Sequence, residues 1–115
     1  MHELSIANSI LEKVHAEALR LPRSRIVKVG VRVGELSGVV PEALSFSFEA
    51  LVKGTDLEPL ALEIEFRPRR NCCRTCSATF EVRADGPACP VCGSEETTFV
   101  SGDELDMAYL EVEEA

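Results

Sequence analysis

The sequence predicts an α+β protein in which two helices pack on a small three-stranded sheet that is interrupted by an inserted four-cysteine, zinc-ribbon-like unit. Three observations predict it. Apolar residues repeat at helical spacing in two segments and alternate with period two in three others, and two cysteine pairs fall between the second and third alternating segments.

The first helix is carried by Ile6, Ile10, Val14 and Leu21, with Ala7, Leu11 and Ala18 beside them, which places one apolar stripe along a helical surface. Pro22 marks its end. Val27, Val29, Val31 and Val33 then alternate with Lys28, Gly30, Arg32 and Gly34, the pattern of a strand with one buried face. Glu35-Leu36-Ser37-Gly38 forms a loop that turns the chain. A second helix begins near Pro41, whose missing N–H costs nothing in a first turn. It directs Leu44, Phe48 and Leu51 inward and stops at Gly54.

The second strand follows from Leu60, Leu62, Ile64 and Phe66 alternating with Ala61, Glu63, Glu65 and Arg67, and Pro68 ends it. After the cysteines, Ser101-Gly102-Asp103 reads as an exit linker. Leu105, Met107 and Tyr109, interleaved with Asp106, Ala108 and Leu110, then give a third strand toward Val112. Residues 1–67 and 104–115 are therefore expected to form one discontinuous α/β domain, and 68–103 an inserted metal-binding domain with its linkers. Such an insert touches the interrupted sheet at two attachment points.

Cys73-Arg74-Thr75-Cys76 and Cys89-Pro90-Val91-Cys92 are separated by twelve residues. In each pair the two-residue spacer lets the backbone fold back, so that four thiolates can reach one tetrahedral Zn²⁺ at about 2.3 Å. Pro90 and Gly93 strengthen the pattern by supplying a preset φ and a residue free to take positive φ. Two disulfides are the competing reading, but they need an oxidising context. Thr79–Val82 and Thr97–Val100 can form short strands here, yet about thirty residues bury too little apolar area to fold without the metal. Cys72 is a spare thiol, since the two-residue spacer from Cys73 matches the partner pair better. His15, on the polar side of the first helix, reads as a surface histidine.

Met1-His2-Glu3-Leu4-Ser5 lacks a basic region followed by an apolar run, so no signal or transit peptide is expected. No stretch reaches the length of a membrane span. The expectation is a cytoplasmic protein with reduced thiols. Against 12 Lys and Arg stand 20 Asp and Glu, a net charge of −8, and there is no Trp and one Tyr. Nucleic acid is thereby disfavoured as a partner. Arg67, Arg69, Arg70 and Arg74 cluster by the first cysteine pair and read as a solvated collar offsetting an anionic metal–thiolate centre.

At the amino terminus, the Met1 amine, the His2 backbone nitrogen once deprotonated, and the His2 imidazole can hold one metal in fused chelate rings, with Glu3 supplying a fourth ligand. Ni²⁺ and Cu²⁺ favour such flat nitrogen coordination, whereas Zn²⁺ prefers tetrahedral thiolates. By chemistry alone, a histidine at position two is weak evidence for such a site and fits an ordinary disordered terminus better.

The combination of Met1-His2-Glu3-Leu4-Ser5-Ile6-Ala7, the strand end Val33-Gly34-Glu35-Leu36-Ser37, the helix around Pro41-Glu42-Ala43-Leu44-Ser45-Phe46 and the two cysteine pairs closely resembles the HypA-type nickel metallochaperones of nickel–iron hydrogenase maturation. The resemblance covers nearly the whole chain. It implies nickel at His2 with the amino terminus and Glu3, and a structural zinc at Cys73, Cys76, Cys89 and Cys92. It also implies delivery of nickel toward the hydrogenase large subunit with a GTPase of the HypB type, and in some members service to urease maturation.

No nucleophile with its base, phosphate loop or cleft of paired carboxylates is recognisable, so a carrier is expected and an enzyme is not. Two other classes share the cysteine pattern: a rubredoxin-like iron electron carrier, and a zinc-ribbon interaction module in which His2 has no role. The sequence leaves open whether the working form is a monomer or a homodimer.

Overall fold

The computed structural model describes residues 3–114 and contains two three-stranded sheets. Helix α1 spans Glu3–Arg20, and strand β1 spans Ser24–Gly34. Glu35–Ser37 form a short 3-10 turn that ends on Gly38 at φ 79°, where the sequence suggests only a loop. Helix α2 covers Pro41–Val52 with Pro41 in its first turn, as the missing N–H allows. Strand β2 follows at Ala61–Arg67. The second sheet is built from β3 at Arg70–Cys73, β4 at Thr79–Glu81 and β5 at Thr97–Ser101, and β6 at Leu105–Glu114 returns to the first sheet.

In the first sheet the strand order is β2-β1-β6, with β1 parallel to β2 and antiparallel to β6. Both helices pack on one face of it. Ala7, Ile10, Leu11 and Val14 of α1 and Leu44, Phe48 and Val52 of α2 join Val29, Val31 and Val33 in one buried cluster. Phe48, Leu44 and Val14 are fully inaccessible. Burying each such side chain contributes roughly 1.5–3 kcal/mol. The second sheet, order β4-β3-β5, adds no residue to that cluster.

Five details depart from the periodic reading. Register shifts near Val27 and Ala108 mark β-bulges in β1 and β6. As a result Ile26 takes the core position instead of Val27. On β6, Leu105, Met107 and Leu110 face the core, while Tyr109 lies opposite Gly30 on the other face. An extra residue reverses the side-chain alternation beyond it, which a strict period of two does not anticipate. Phe66 pairs with buried Val33 yet is 52% exposed, because α2 does not cover the end of β2. Leu21 lies beyond the end of α1 and is exposed. Strand β3 has no apolar alternation: its inward positions are Asn71 and Cys73.

The two sheets meet at the end of β1. Gly34 N donates to Glu104 O at 2.6 Å and Leu36 N to Gly102 O at 2.7 Å, while Arg69 N donates to the Glu35 carboxylate at 3.0 Å. Both passages of the chain into the second sheet are thus tied to the same short turn.

Candidate metal centre

Each cysteine pair closes a tight loop of the same design. Cys73 N donates to Ala78 O at 2.8 Å and Ser77 N returns to Cys73 O at 3.0 Å. In the second loop Cys89 N donates to Ser94 O at 2.9 Å and Gly93 N to Cys89 O at 2.8 Å. The fifth residue of each loop takes the left-handed conformation, Ser77 at φ 66° and Gly93 at φ 76°. Gly93 adopts it without a side-chain clash; Ser77 does not have that freedom.

The first loop hangs from β3 at Cys73, and the second lies in the connection between β4 and β5. Arg74 N donates to Glu96 O at 2.8 Å, and the Thr75 and Ser94 hydroxyls meet at 3.0 Å, which holds the loops face to face. Cys73, Cys76, Cys89 and Cys92 consequently bring their sulfurs within 4.8 Å of one another. Cys73 Sγ lies 3.5 Å from Cys92 Sγ, and Cys76 Sγ lies 3.6 Å from Cys89 Sγ. A tetrahedron with metal–sulfur bonds of about 2.3 Å has edges of about 3.8 Å, so the donor set fits one Zn²⁺-sized ion with only slight adjustment. Cys73 and Cys89 are buried, and Cys76 and Cys92 are exposed.

Backbone amides are aimed at the buried sulfurs. Thr75 N and Cys76 N each lie 3.4 Å from Cys73 Sγ, and Val91 N lies 3.4 Å from Cys89 Sγ. The Cys76 N–H, helped by that of Thr75, lowers the Cys73 pKa to about 6, and the Cys92 N–H lowers that of Cys89. Their partners move the other way. The Ala78 N–H favours a Cys76 thiolate, but partial desolvation of the sulfur and the neighbouring cysteine sulfurs outweigh it and raise Cys76, though the residue is exposed, to about 12. The Ser94 N–H is likewise outweighed at Cys92, chiefly by Cys73. Four adjacent thiols cannot all ionise against one another, and a divalent cation resolves that conflict by compensating every thiolate at once.

The other sequence candidates fall elsewhere. Cys72 is outside the four-sulfur group; its Sγ lies 3.8 Å from the carbonyls of Cys73 and Ser77. His15 is exposed on α1. Glu3 begins α1, and its Oε2 accepts a 3.3 Å hydrogen bond from Val40 N just before α2. Met1 and His2, and with them most of the expected nickel ligands, lie outside the described residues. The arginine collar is not simply solvated. Arg67 pairs with Glu65 and Arg70 with Glu81, each at 3.5 Å, and Arg69 is half-buried with its Nε atom inaccessible. Only Arg74 of the four is fully on the surface without a carboxylate partner among the described residues.

Sequence reasoning misses the Glu35 and Gly34–Gly102 contacts that anchor this unit, since they join segments far apart in the chain. Asn71 is missed as well. It is buried at the centre of β3 and donates through Nδ2 to Thr97 Oγ1 at 3.1 Å, bracing β3 against β5.

Residues 1–112 match the family model described as "Hydrogenase/urease nickel incorporation, metallochaperone, hypA". The chain is 42% identical over 113 residues to a hydrogenase maturation factor HypA from Geobacter metallireducens, covering 98% of this chain and 100% of the relative. It is 44% identical over 117 residues to the corresponding factor from Solidesulfovibrio magneticus, with the same coverage. Among solved structures, the solution structure of the nickel metallochaperone HypA from Helicobacter pylori superimposes with a TM-score of 0.62 at 26% identity, covering 96% of this chain and 97% of that one. A second HypA solution structure gives a TM-score of 0.66 at the same identity, covering 96% and 95%. By the match along nearly its full length, the chain belongs to the HypA family of hydrogenase/urease nickel-incorporation metallochaperones.

Proposed function

We propose that this protein carries Ni²⁺ at its amino terminus and releases it during maturation of a nickel–iron hydrogenase. The family match from residue 1 onward, which takes in the Met1-His2-Glu3 start, is the observation that carries this reading. The Met1 amine, the His2 amide and imidazole nitrogens and a donor from Glu3 form the nickel site. They are strong nitrogen donors suited to flat coordination of a transported ion. Each nitrogen must be free of its proton to bind, so nickel affinity falls as pH falls.

In this reading residues 1–67 and 104–115 are the nickel-binding domain, and 68–103 the zinc-binding insert. Cys73, Cys76, Cys89 and Cys92 hold a structural Zn²⁺, whose role is to supply the folding energy that the insert's small apolar area does not. The chain acts as a carrier, not an enzyme: it docks on a GTPase of the HypB type and on the hydrogenase large subunit in the cytoplasm, and nickel leaves by ligand exchange. Service to urease maturation is part of the same proposal. Among the described residues, no helix is long and apolar enough to cross a membrane.

Calorimetric titration of Ni²⁺ into protein with a free, untagged amino terminus, compared with His2→Ala, tests the site. One nickel equivalent is expected to bind the parent protein and to be lost or greatly weakened in the variant. Unchanged stoichiometry and affinity would place nickel elsewhere.

A further inference from the structure

Strand β2 is an edge of the first sheet: β1 pairs with one side of Ala61–Arg67, and among the described residues no strand pairs with the other. Beside this edge, α2 and β2 enclose an open cleft of about 700 Å³ lined by Pro41, Glu42, Phe46, Glu49, Ile64 and Phe66. Its apolar wall is unusually bare. Phe46 is 74% exposed and Phe66 is 52% exposed, although both sit within reach of a helix–sheet junction that buries their neighbours Phe48 and Val33. The residues at 42, 46 and 49 follow helical spacing along one stripe of α2, so this wall is a continuous surface.

The chemistry of the cleft limits what can occupy it. Free edge-strand amides and carbonyls accept an extended segment by strand addition, and the side chains on one face of that segment then point between α2 and β2. Those that cover Phe46 and Phe66 must be apolar. Glu42 and Glu49 stand beside the phenylalanines, and neither carboxylate has an ion pair among the described residues. On the opposite face β2 presents Glu63, Glu65 and Arg67, and there the charges are already met: Glu63 accepts from the Tyr109 hydroxyl and pairs with Lys28, and Glu65 pairs with Arg67. The whole chain carries a charge of −8. A second copy added edge to edge would bring its own Glu42 and Glu49 to the shared cleft, and like charges brought together are destabilising. A segment that turns basic side chains toward α2 meets complementary charge at Glu42 and Glu49.

We propose that the cleft between α2 and the free edge of β2 docks an extended segment of a partner protein that turns apolar residues and lysine or arginine together toward α2. None of the lining residues is a candidate metal ligand, so the proposal stands or falls apart from nickel binding. The Pro41 end of the cleft adjoins Val40, whose amide bonds Glu3 at the start of α1.

The test uses isotope-labelled, zinc-loaded full-length protein at low ionic strength and an end-blocked heptapeptide with lysine at positions 2 and 6, valine at position 4 and threonine elsewhere, so that lysine and valine share one face of the strand. Two control peptides replace valine by serine or lysine by glutamate. The lysine–valine peptide is expected to shift the amide resonances of Ala61–Arg67 and of Glu42–Glu49 while sparing β6. Phe46→Ala should weaken it about tenfold, the scale of a buried aromatic anchor. Glu42→Gln with Glu49→Gln should weaken it about threefold and flatten its salt dependence. Both sets of substitutions change exposed side chains and leave the core intact. The proposal is overturned by any of four results: no binding, equal binding of either control peptide, affinity indifferent to Phe46→Ala, or Phe46-dependent self-association of the protein through β2.

Discussion

Gly34 and Gly102 cross backbone to backbone, so close that a β-carbon on Gly34 would collide with the Gly102 carbonyl and come within 2.6 Å of Glu104 N. Gly102 itself takes φ 125°, and a β-carbon there would lie 2.7 Å from Arg69 Cα. The two strands of chain that enter and leave the cysteine unit therefore converge on the end of β1 with no side chain between them. Together with the Glu35–Arg69 hydrogen bond, this makes the link between the two sheets a packed joint.

Gly34→Ala should loosen that joint. Its obstacle is backbone, which cannot rotate away as a flexible side chain would, so overpacking is expected to cost about 1–3 kcal/mol. Thermal unfolding followed by circular dichroism should show a lower Tm, and the Gly34–Glu104 and Leu36–Gly102 amides should exchange faster with solvent. An unchanged Tm would mean that the backbone crossing has room to spread.

Tyr109 is the single tyrosine, and its hydroxyl donates to Glu63 Oε1 at 2.5 Å across the sheet, with the ring lying over Gly30. That bond to Glu63, with burial and the nearby carboxylates, raises the phenol to about 12 from its ordinary value of 10.0. Because the folded-state value is raised, the stabilisation is complete below pH 10 and is lost as pH rises through about 12. Glu63 is shifted the opposite way, downward, first by Tyr109 and then by Lys28, so its contribution is present above its ordinary 4.5 and is lost as pH falls through the lowered value. Phenolate absorbance isolates the first half of this pair. The midpoint should lie well above 10 in the native protein and fall toward 10 in Glu63→Gln.

Ser77→Gly should strengthen the metal unit. Ser77 holds φ 66° at the position that Gly93 fills in the sister loop, and a left-handed conformation costs a non-glycine residue roughly 1–2 kcal/mol, partly offset by the greater freedom of glycine in the unfolded chain. A net gain of about 0.5–1 kcal/mol corresponds to a few-fold slower transfer of zinc from the zinc-loaded protein to a competing chelator. Equal or faster loss would show that the serine is at ease in its turn.

Chelation of the metal from protein loaded with zinc, or Cys89→Ser, should unfold one sheet and spare the other. The buried apolar cluster draws its members from α1, the turn before α2, α2, and the first sheet with its flanks, and none from 70–101. Without a cation the strands β3, β4 and β5 have only short ladders to hold them. Resolved amide signals from Arg70–Cys73 and Thr97–Ser101 should collapse while those of Val29, Val31 and Val33 persist. Collapse of both sets would show that the joint at Gly34 transmits the loss through the whole molecule.

What the sequence determined by itself are features written in short-range spacing. Two-residue cysteine spacers define the four-sulfur donor set, a proline and a helical stripe define α2, and alternation defines the faces of β1 and β2 over most of their length. Tertiary structure alone decided where that alternation breaks. The bulges at Val27 and Ala108 arise from pairing β1 with β6, and they put Leu110 on the core and Tyr109 over Gly30. Strand β3 became a strand because β4 and β5 flank it, not because its residues alternate. The joint of Gly34, Glu35, Arg69 and Gly102 depends on contacts across more than thirty residues of chain. Local spacing records what neighbouring residues can do for one another; which distant backbones meet, and with no side chain between them, is settled only when the packed sheet brings them to the same point.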